Sequence, residues 1–464
     1  MVDDVVLLRI GRNALEDRPV LVQGQQREHR LAHLRAIQMA ASGQQHRDLG
    51  SLRHGNLLMD GSIIHPGNRR RRQFVYPGPM RLSSRLPQGF ESNALSAALA
   101  RLRSEGREIL DLTASNPTRC GFTYPEAEIR AALSGPAVLA YDPDPQGSCA
   151  AREAIAAHHG HGLRADDLLL TASTSEGYGL LFKLLGDPGD EVLVPSPSYP
   201  LFDWLARLEG LHARAVPSYF HDRWHLDLGA LEAAAGPRTR AIVVVNPNNP
   251  TGHFLSKTEW AGLTELCARR GLALLVDEVF ADYALEAAAD RLPTALADAA
   301  PPCPVFLLSG LSKVAALPQL KLGWIAVRGP GAAIHLEGLA FLADQYLSVS
   351  APVQAAASTL LALAPAIRQQ VQARLRANLL TLDATLAHHP HLTRLPVEGG
   401  WSVLLRRPAV DADESCALRL LEETATLAHP GSFFDLPGDG HLVLSLLTPE
   451  KTFHDGLLRT FPSL

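Results

Sequence analysis

Val305-Phe-Leu-Leu-Ser-Gly-Leu-Ser-Lys313 orders the reading of this chain: an apolar run, Val305 to Leu308, opens into a short turn that ends on a lysine. A lysine at the mouth of a buried strand needs a partner, because an ammonium taken out of water alone is costly. A second cation, Lys321, follows eight positions later. Two more apolar runs lie upstream. Ala241-Ile-Val-Val-Val245 leads into Asn246-Pro-Asn-Asn-Pro-Thr-Gly252, and Leu272-Ala-Leu-Leu-Val276 leads into Asp277-Glu-Val-Phe280. As strands of one open α/β sheet, these runs set Asn249, Asp277 and Lys313 just past their carboxyl ends, where such sheets bind ligands.

The rest of the chain beyond Met80 carries the same alternation. Asp167-Leu-Leu-Leu170, Glu191-Val-Leu-Val194 and Leu322-Gly-Trp-Ile-Ala-Val327 also read as strands. Helices fall between them, such as Ser256 to Arg270, whose Ser256-Lys-Thr-Glu259 start is a capping box. This pattern predicts a mainly parallel sheet covered on both faces. From about residue 335 an Ala/Leu-rich stretch predicts one long helix, followed by an α+β segment that ends near Leu464.

At 464 residues, 46% hydrophobic and 20% charged, the chain has the composition of an ordinary globular protein with room for two or more domains. A formal net charge of −5 gives no electrostatic reason to expect nucleic acid or an anionic membrane as partner. Five scattered cysteines without C-x-x-C spacing suggest neither a disulfide framework nor a metal site, and they fit a reducing cytoplasm. No apolar run is long enough for a membrane span. Residues 1–79 differ in character, with 12 Arg, 7 Asp or Glu, no Lys and little apolar periodicity. They are expected to be a disordered extension or the product of a misplaced start codon, with translation beginning at Met80; no helix-turn-helix pattern supports a DNA-binding module.

Asp111-Leu-Thr-Ala-Ser-Asn-Pro117, Tyr141 with Gly147, Thr171-Ala-Ser-Thr-Ser-Glu-Gly177, Pro195-Ser-Pro-Ser-Tyr-Pro200, the Asn249 loop, Asp277 and Ser312-Lys313 with Lys321 occur in that order over more than 200 residues. In this the chain resembles the class I/II aminotransferases of the fold-type I pyridoxal-phosphate (PLP) family, from about residue 81 to the C-terminus. The resemblance implies a large domain, residues 126–335, with a mainly parallel seven-stranded sheet. A smaller α+β domain would join residues 80–125 to 336–464. It also implies PLP as cofactor, an amino donor and a 2-oxo acid acceptor as substrates, and a homodimer with shared active sites.

Residue by residue, Lys313 resembles the family's Schiff-base lysine and Asp277 the aspartate that keeps the pyridine nitrogen protonated. Thr174 and Ser175, at a strand-to-helix junction, resemble a phosphate cradle, which a helix N-terminus suits; Ser312 and Lys321 complete it. Tyr199 resembles the aromatic residue stacked on the ring, Asn249 the donor to its 3′ oxygen, and Tyr141 the tyrosine that reaches the partner subunit's phosphate. The chain departs from the pattern at four places. Lys321 stands where arginine is usual, Phe280 where a tyrosine assists Asn249, Gly310 where Ser or Thr is usual, and Val443 where an arginine grips the substrate carboxylate. With Val443 there, the carboxylate must be held elsewhere, by Asn116 or Arg406 for example, or the substrate is unusual. Transamination is the leading expectation. PLP-dependent decarboxylation or lyase chemistry on the same fold is the alternative, and a non-enzymatic PLP sensor is a third reading.

Overall fold

The computed structural model describes residues 82–87, 89–90, 92–286 and 289–464, so the expectations for residues 1–79 lie outside the described residues. In chain order the strands are β1 (Leu110–Asp111), β2 (Leu168–Thr171), β3 (Glu191–Ser196), β4 (His212–Pro217), β5 (Tyr219–His221), β6 (Arg223–His225), β7 (Thr239–Val245) and β8 (Ala273–Asp277). They continue as β9 (Val305–Gly310), β10 (Gly323–Arg328), β11 (Thr393–Arg394), β12 (Ser402–Arg406), β13 (Thr426–Leu427), β14 (His429–Pro430) and β15 (His441–Ser445).

Seven of them form one sheet in the order β2-β10-β9-β8-β7-β3-β4. Only β10 runs antiparallel to its neighbours; the remaining pairings are parallel. The inner strands read as continuous apolar runs because both faces are covered. Leu274 and Val276 of β8 point into one apolar cluster and Ala273 and Leu275 into another. Ile242 and Val244 of β7 likewise part from Ala241, Val243 and Val245, the period of two that a strand imposes. One face is covered by helices Cys149–His159, Lys257–Arg270 and the first half of Ala351–Leu386, the other by Thr174–Leu185, Leu201–Leu208 and Ala332–Asp344. The capping box at Ser256 and Glu259 forms as read, and Gly271 closes that helix in the left-handed conformation.

A second sheet, β11-β12-β15-β14, is antiparallel throughout. Its core takes in helices Ala94–Ser104, Asp413–Thr424 and Glu450–Thr460. Helix Ala351–Leu386 links the two cores. Val353 to Ala364 pack in the first and Ile367 to Leu382 in the second, with Pro365 at the changeover. Two sequence expectations need correction. The long helix predicted from about residue 335 is two helices, Ala332–Asp344 and Ala351–Leu386. The seventh strand, β4, was not legible: four of its six residues are exposed and one only half-buried, so no apolar run marks it.

Candidate active site

β9, β8 and β7 are neighbours, and each ends at the same edge of the sheet. Asp277 closes β8, Lys313 sits in the single turn Leu311–Val314 that follows β9, and Asn249 lies in the loop after β7. The expected convergence is present. Two tyrosines hold the lysine's turn by its backbone: Tyr283 donates its hydroxyl to the Lys313 carbonyl at 2.6 Å, and Tyr124 donates to the Ala316 carbonyl at 2.9 Å. Lys313 Nζ lies 4.7 Å from the centre of the Trp401 ring and 5.6 Å from that of Phe280. Both rings are buried and meet edge to face at 5.4 Å.

Asp277 is held by neutral groups. Its Oδ2 accepts from the Tyr178 hydroxyl at 3.0 Å and its Oδ1 from the Val279 amide at 3.1 Å. Burial pushes its carboxyl up to about 6, against those two hydrogen bonds and the nearby Lys313 charge. The same burial, together with Asp277, holds the Tyr178 hydroxyl protonated by raising it well above its ordinary value. Asn249 accepts from the Ser402 hydroxyl through Oδ1 at 3.2 Å, while its amide nitrogen donates to no described residue. Phe280 indeed offers Asn249 no hydroxyl, and Ser402 of β12 takes that place.

Thr174 and Ser175 open helix Thr174–Leu185, capped by Ser173, whose hydroxyl accepts from the Glu176 amide. Amides in a first turn have no acceptor inside the helix. β10 runs close against this corner: a Cβ at Gly323 would lie 3.1 Å from the Thr174 nitrogen and 3.0 Å from the Ser173 carbonyl carbon. A Cβ at Gly310 would lie 2.9 Å from the Leu322 carbonyl oxygen, so the β10 backbone fills the room a Ser or Thr there would use. The Leu311 amide donates to that same oxygen at 2.9 Å, which ties Ser312 to the segment carrying Lys321. Lys321 is exposed, with φ of 54°. Tyr199 is half-buried and packs edge-on to Phe202. Tyr141 stands apart from this group. It is 84% exposed and borders a cavity of about 180 Å³ with Leu180 and Tyr346.

Tyr178, Tyr124, Tyr283, Ser402 and Trp401 are the site residues that the sequence reading missed. None of the groups considered for a substrate carboxylate stands out as a ready cation. Val443 is 2% exposed, paired with Leu404 and His429 and packed in the apolar core. Arg406 is exposed at the far end of β12, four residues or roughly 13 Å from Ser402. Asn116 caps a short helical turn, accepting from the Thr118 amide and hydroxyl. Val443→Arg is therefore expected to lower stability by on the order of 3 kcal/mol or more, because a guanidinium at this position would be buried without a partner. Urea unfolding of the variant beside wild type checks this, and equal midpoints would show that the position is not enclosed.

Among the described residues no helix is long and apolar enough to cross a membrane, and no group of three or more His, Cys, Asp or Glu could hold a metal ion. The site does fit PLP. It has a buried carboxylate lacking a compensating cation within hydrogen-bonding distance, an amide nitrogen without an acceptor, a lysine on a fixed turn, and a helix N-terminus beside it.

The family model for aminotransferase class I and II matches residues 107–453. An alanine aminotransferase of Mycobacterium tuberculosis is 30% identical over 366 residues, covering 75% of this chain and 83% of that protein. The glutamate-pyruvate aminotransferase AlaA of Escherichia coli is 33% identical over 271 residues, 56% of this chain and 65% of that one. Among solved structures, a Thermus thermophilus aspartate aminotransferase variant superposes with a TM-score of 0.72 at 25% identity, over 83% of this chain and all of that one. The chain belongs to the class I and II aminotransferases. It is a PLP-dependent enzyme that transfers an amino group between an amino acid and a 2-oxo acid.

Proposed function

We propose that Lys313 holds PLP covalently and then moves the substrate proton, with Asp277 against the ring nitrogen and Asn249 against the ring's oxygen. The carrying observation is Asp277, a buried carboxylate met only by a phenol and an amide, at the edge where the lysine's turn sits. When bound, PLP supplies a sink for the electron pair left at the substrate Cα. Asp277 keeps the ring nitrogen protonated because a carboxylate paired with a cation stays ionised even when buried. Lys313 Nζ takes the proton from the substrate Cα, and Tyr283 and Tyr124 keep the turn that carries it in register. Thr174, Ser175, Ser312 and Lys321 surround the phosphate, the first two through helix-terminal amides. Tyr199 covers the ring. Residues 126–335 then serve as the cofactor-binding domain, and 80–125 with 336–464 as the smaller one.

The working unit is a homodimer in which Tyr141 serves the partner's phosphate. Val138, Leu139 and Tyr141 are 52%, 94% and 84% exposed on one short segment, beside exposed Tyr346. Exposed apolar side chains grouped in this way mark an interface. The cytoplasm is the proposed compartment, supported by five cysteines that are all free thiols. The names of the relatives point to alanine, glutamate and their oxo acids as substrates. An amino-donor panel with pyruvate or 2-oxoglutarate as acceptor tests this reading. Alanine or glutamate is expected to convert bound PLP to its amine form, seen in absorbance, with release of the matching oxo acid. Release of carbon dioxide, or loss of a side-chain fragment without that conversion, would move the enzyme to decarboxylase or lyase chemistry.

A further inference from the structure

We propose that Trp401 binds the substrate carboxylate through its indole Nε1–H, in a chain whose buried Val443 offers no charge for it. This rests on the reading of Lys313 as the residue that holds PLP and moves the Cα proton. The carboxylate of an α-amino acid is bonded to that same carbon, so its holder must lie close to Lys313 Nζ.

Apart from the Asn249 amide, which the proposed function gives to the ring oxygen, few groups at this site have a proton to give. Phe280 has no polar atom. Ser402 spends its hydroxyl proton on Asn249 Oδ1, and Ser445, its partner across the strands, gives its own to the Ala114 carbonyl. A serine has one such proton, and its lone pairs repel a carboxylate. Trp401 differs. Its ring centre is 4.7 Å from Lys313 Nζ, it is 3% exposed, and its Nε1 is enclosed without a hydrogen-bond partner. Indole nitrogen is a donor only. A buried donor left unpaired is an exception that calls for an acceptor.

The indole is also held in place. The Leu446 amide donates to the Trp401 carbonyl at 2.8 Å, and the Gly400 amide donates to the Tyr283 carbonyl at 2.9 Å. Tyr283 meets the indole edge to face at 5.2 Å and bonds the Lys313 carbonyl, so it fixes both residues to a common frame. A Cβ at Gly399 would lie 2.5 Å from the Phe254 ring and 2.8 Å from the Tyr283 carbonyl oxygen, so the backbone just before the indole packs closely against both. A fixed neutral donor holds a carboxylate less firmly than a guanidinium fork does. It also avoids burying a charge that stays unpaired between turnovers.

The test uses the PLP enzyme reduced with borohydride, its adduct first mapped by mass spectrometry, with 15N-labelled tryptophan. Propionate serves as a carboxylate that cannot react. Of the five indole N–H signals, the one missing from Trp401→Phe is expected to move downfield as propionate is added. Calorimetry is expected to show about tenfold weaker propionate binding to Trp401→Phe and unchanged binding to Trp224→Phe, which removes the other enclosed indole without a partner. In turnover, Trp401→Phe is expected to raise KM for the amino donor about tenfold with kcat within about twofold. An adduct on Lys313 with an unmoved Trp401 signal, or with equal propionate binding in Trp401→Phe, overturns the proposal alone. An adduct on another lysine overturns the reading of the site and the proposal with it. Should Trp401→Phe not fold, the four other Trp→Phe variants assign the signal by elimination and the wild-type titration decides.

Discussion

Lys313→Ala is expected to lower turnover by at least about a thousandfold while leaving the melting temperature near that of wild type. The loss follows from removing the group that takes the Cα proton, a contribution that general acid–base catalysis alone puts at about a hundredfold to ten-thousandfold. The fold is expected to persist because Tyr283 and Tyr124 hold this turn through backbone carbonyls, which alanine keeps. The Nζ contacts with Trp401 and Phe280 are lost, so a shift of a few degrees is compatible with this account. Residual activity within tenfold of wild type would mean that another base does the work.

Asp277→Asn is expected to cost on the order of a hundredfold or more in kcat, since a neutral amide cannot keep the ring nitrogen protonated. Its effect on stability runs the other way. The Asp277 carboxyl is pushed up to about 6 in the folded cofactor-free protein, above the ordinary value of about 3.9 in an unfolded chain. Between those values the folded state binds more protons than the unfolded one. This residue's share of stability therefore falls as pH rises from about 4 to about 6, and levels off above. Asparagine carries no such dependence. The cofactor-free variant should gain on cofactor-free wild type in melting temperature across that window, and the advantage should shrink once PLP is added to both. Glu278, pushed up to about 7 chiefly by its own burial and to a lesser degree by the Asp277 charge, adds a slope of its own to both proteins; in the variant it loses only the Asp277 contribution, so the difference between the two curves reports Asp277 together with its coupling to Glu278. A variant that loses stability as pH rises through the window, relative to wild type, would contradict the assignment.

A residue that is better for catalysis than for the empty fold is one that its surroundings select for a ligand. Asp277 fits that description, and it was legible in the sequence for a simple reason. Buried parallel strands are unbroken apolar runs, so a carboxylate at the end of one is conspicuous; Asn249 and Lys313 were found the same way. β4 was not, because an edge strand facing solvent needs no apolar run. The break between helices Ala332–Asp344 and Ala351–Leu386 hid inside a stretch rich in Ala and Leu. Ser350 followed by Pro352 was the available signal, since serine caps helices and proline is at home in a first turn.

The supporting residues had no local signal. Tyr178 reaches Asp277 across 99 positions of sequence, Tyr124 reaches Ala316 across 192, and Ser402 reaches Asn249 across 153. Each is an ordinary core or turn residue until the fold brings its partner alongside. The departures were more informative. Phe280 signalled that no hydroxyl comes to Asn249 from that position, but the inference that Asn249 lacks such a bond did not hold, because Ser402 supplies one from β12; Val443 signalled a missing cation, and it packs among apolar neighbours.

The central claim is that Lys313 is the residue on which PLP is held, and the chain makes it easy to test, because it contains only five lysines: Lys183, Lys257, Lys313, Lys321 and Lys451. Lys183 and Lys451 pair with Glu209 and Asp455, and Lys257 is exposed on a helix start. Borohydride reduction of the PLP-saturated protein, digestion and mass spectrometry read the answer directly. The account predicts one adduct, on the peptide that carries Lys313; an adduct on Lys321 or any other lysine, or none at all in PLP-saturated protein, would contradict it.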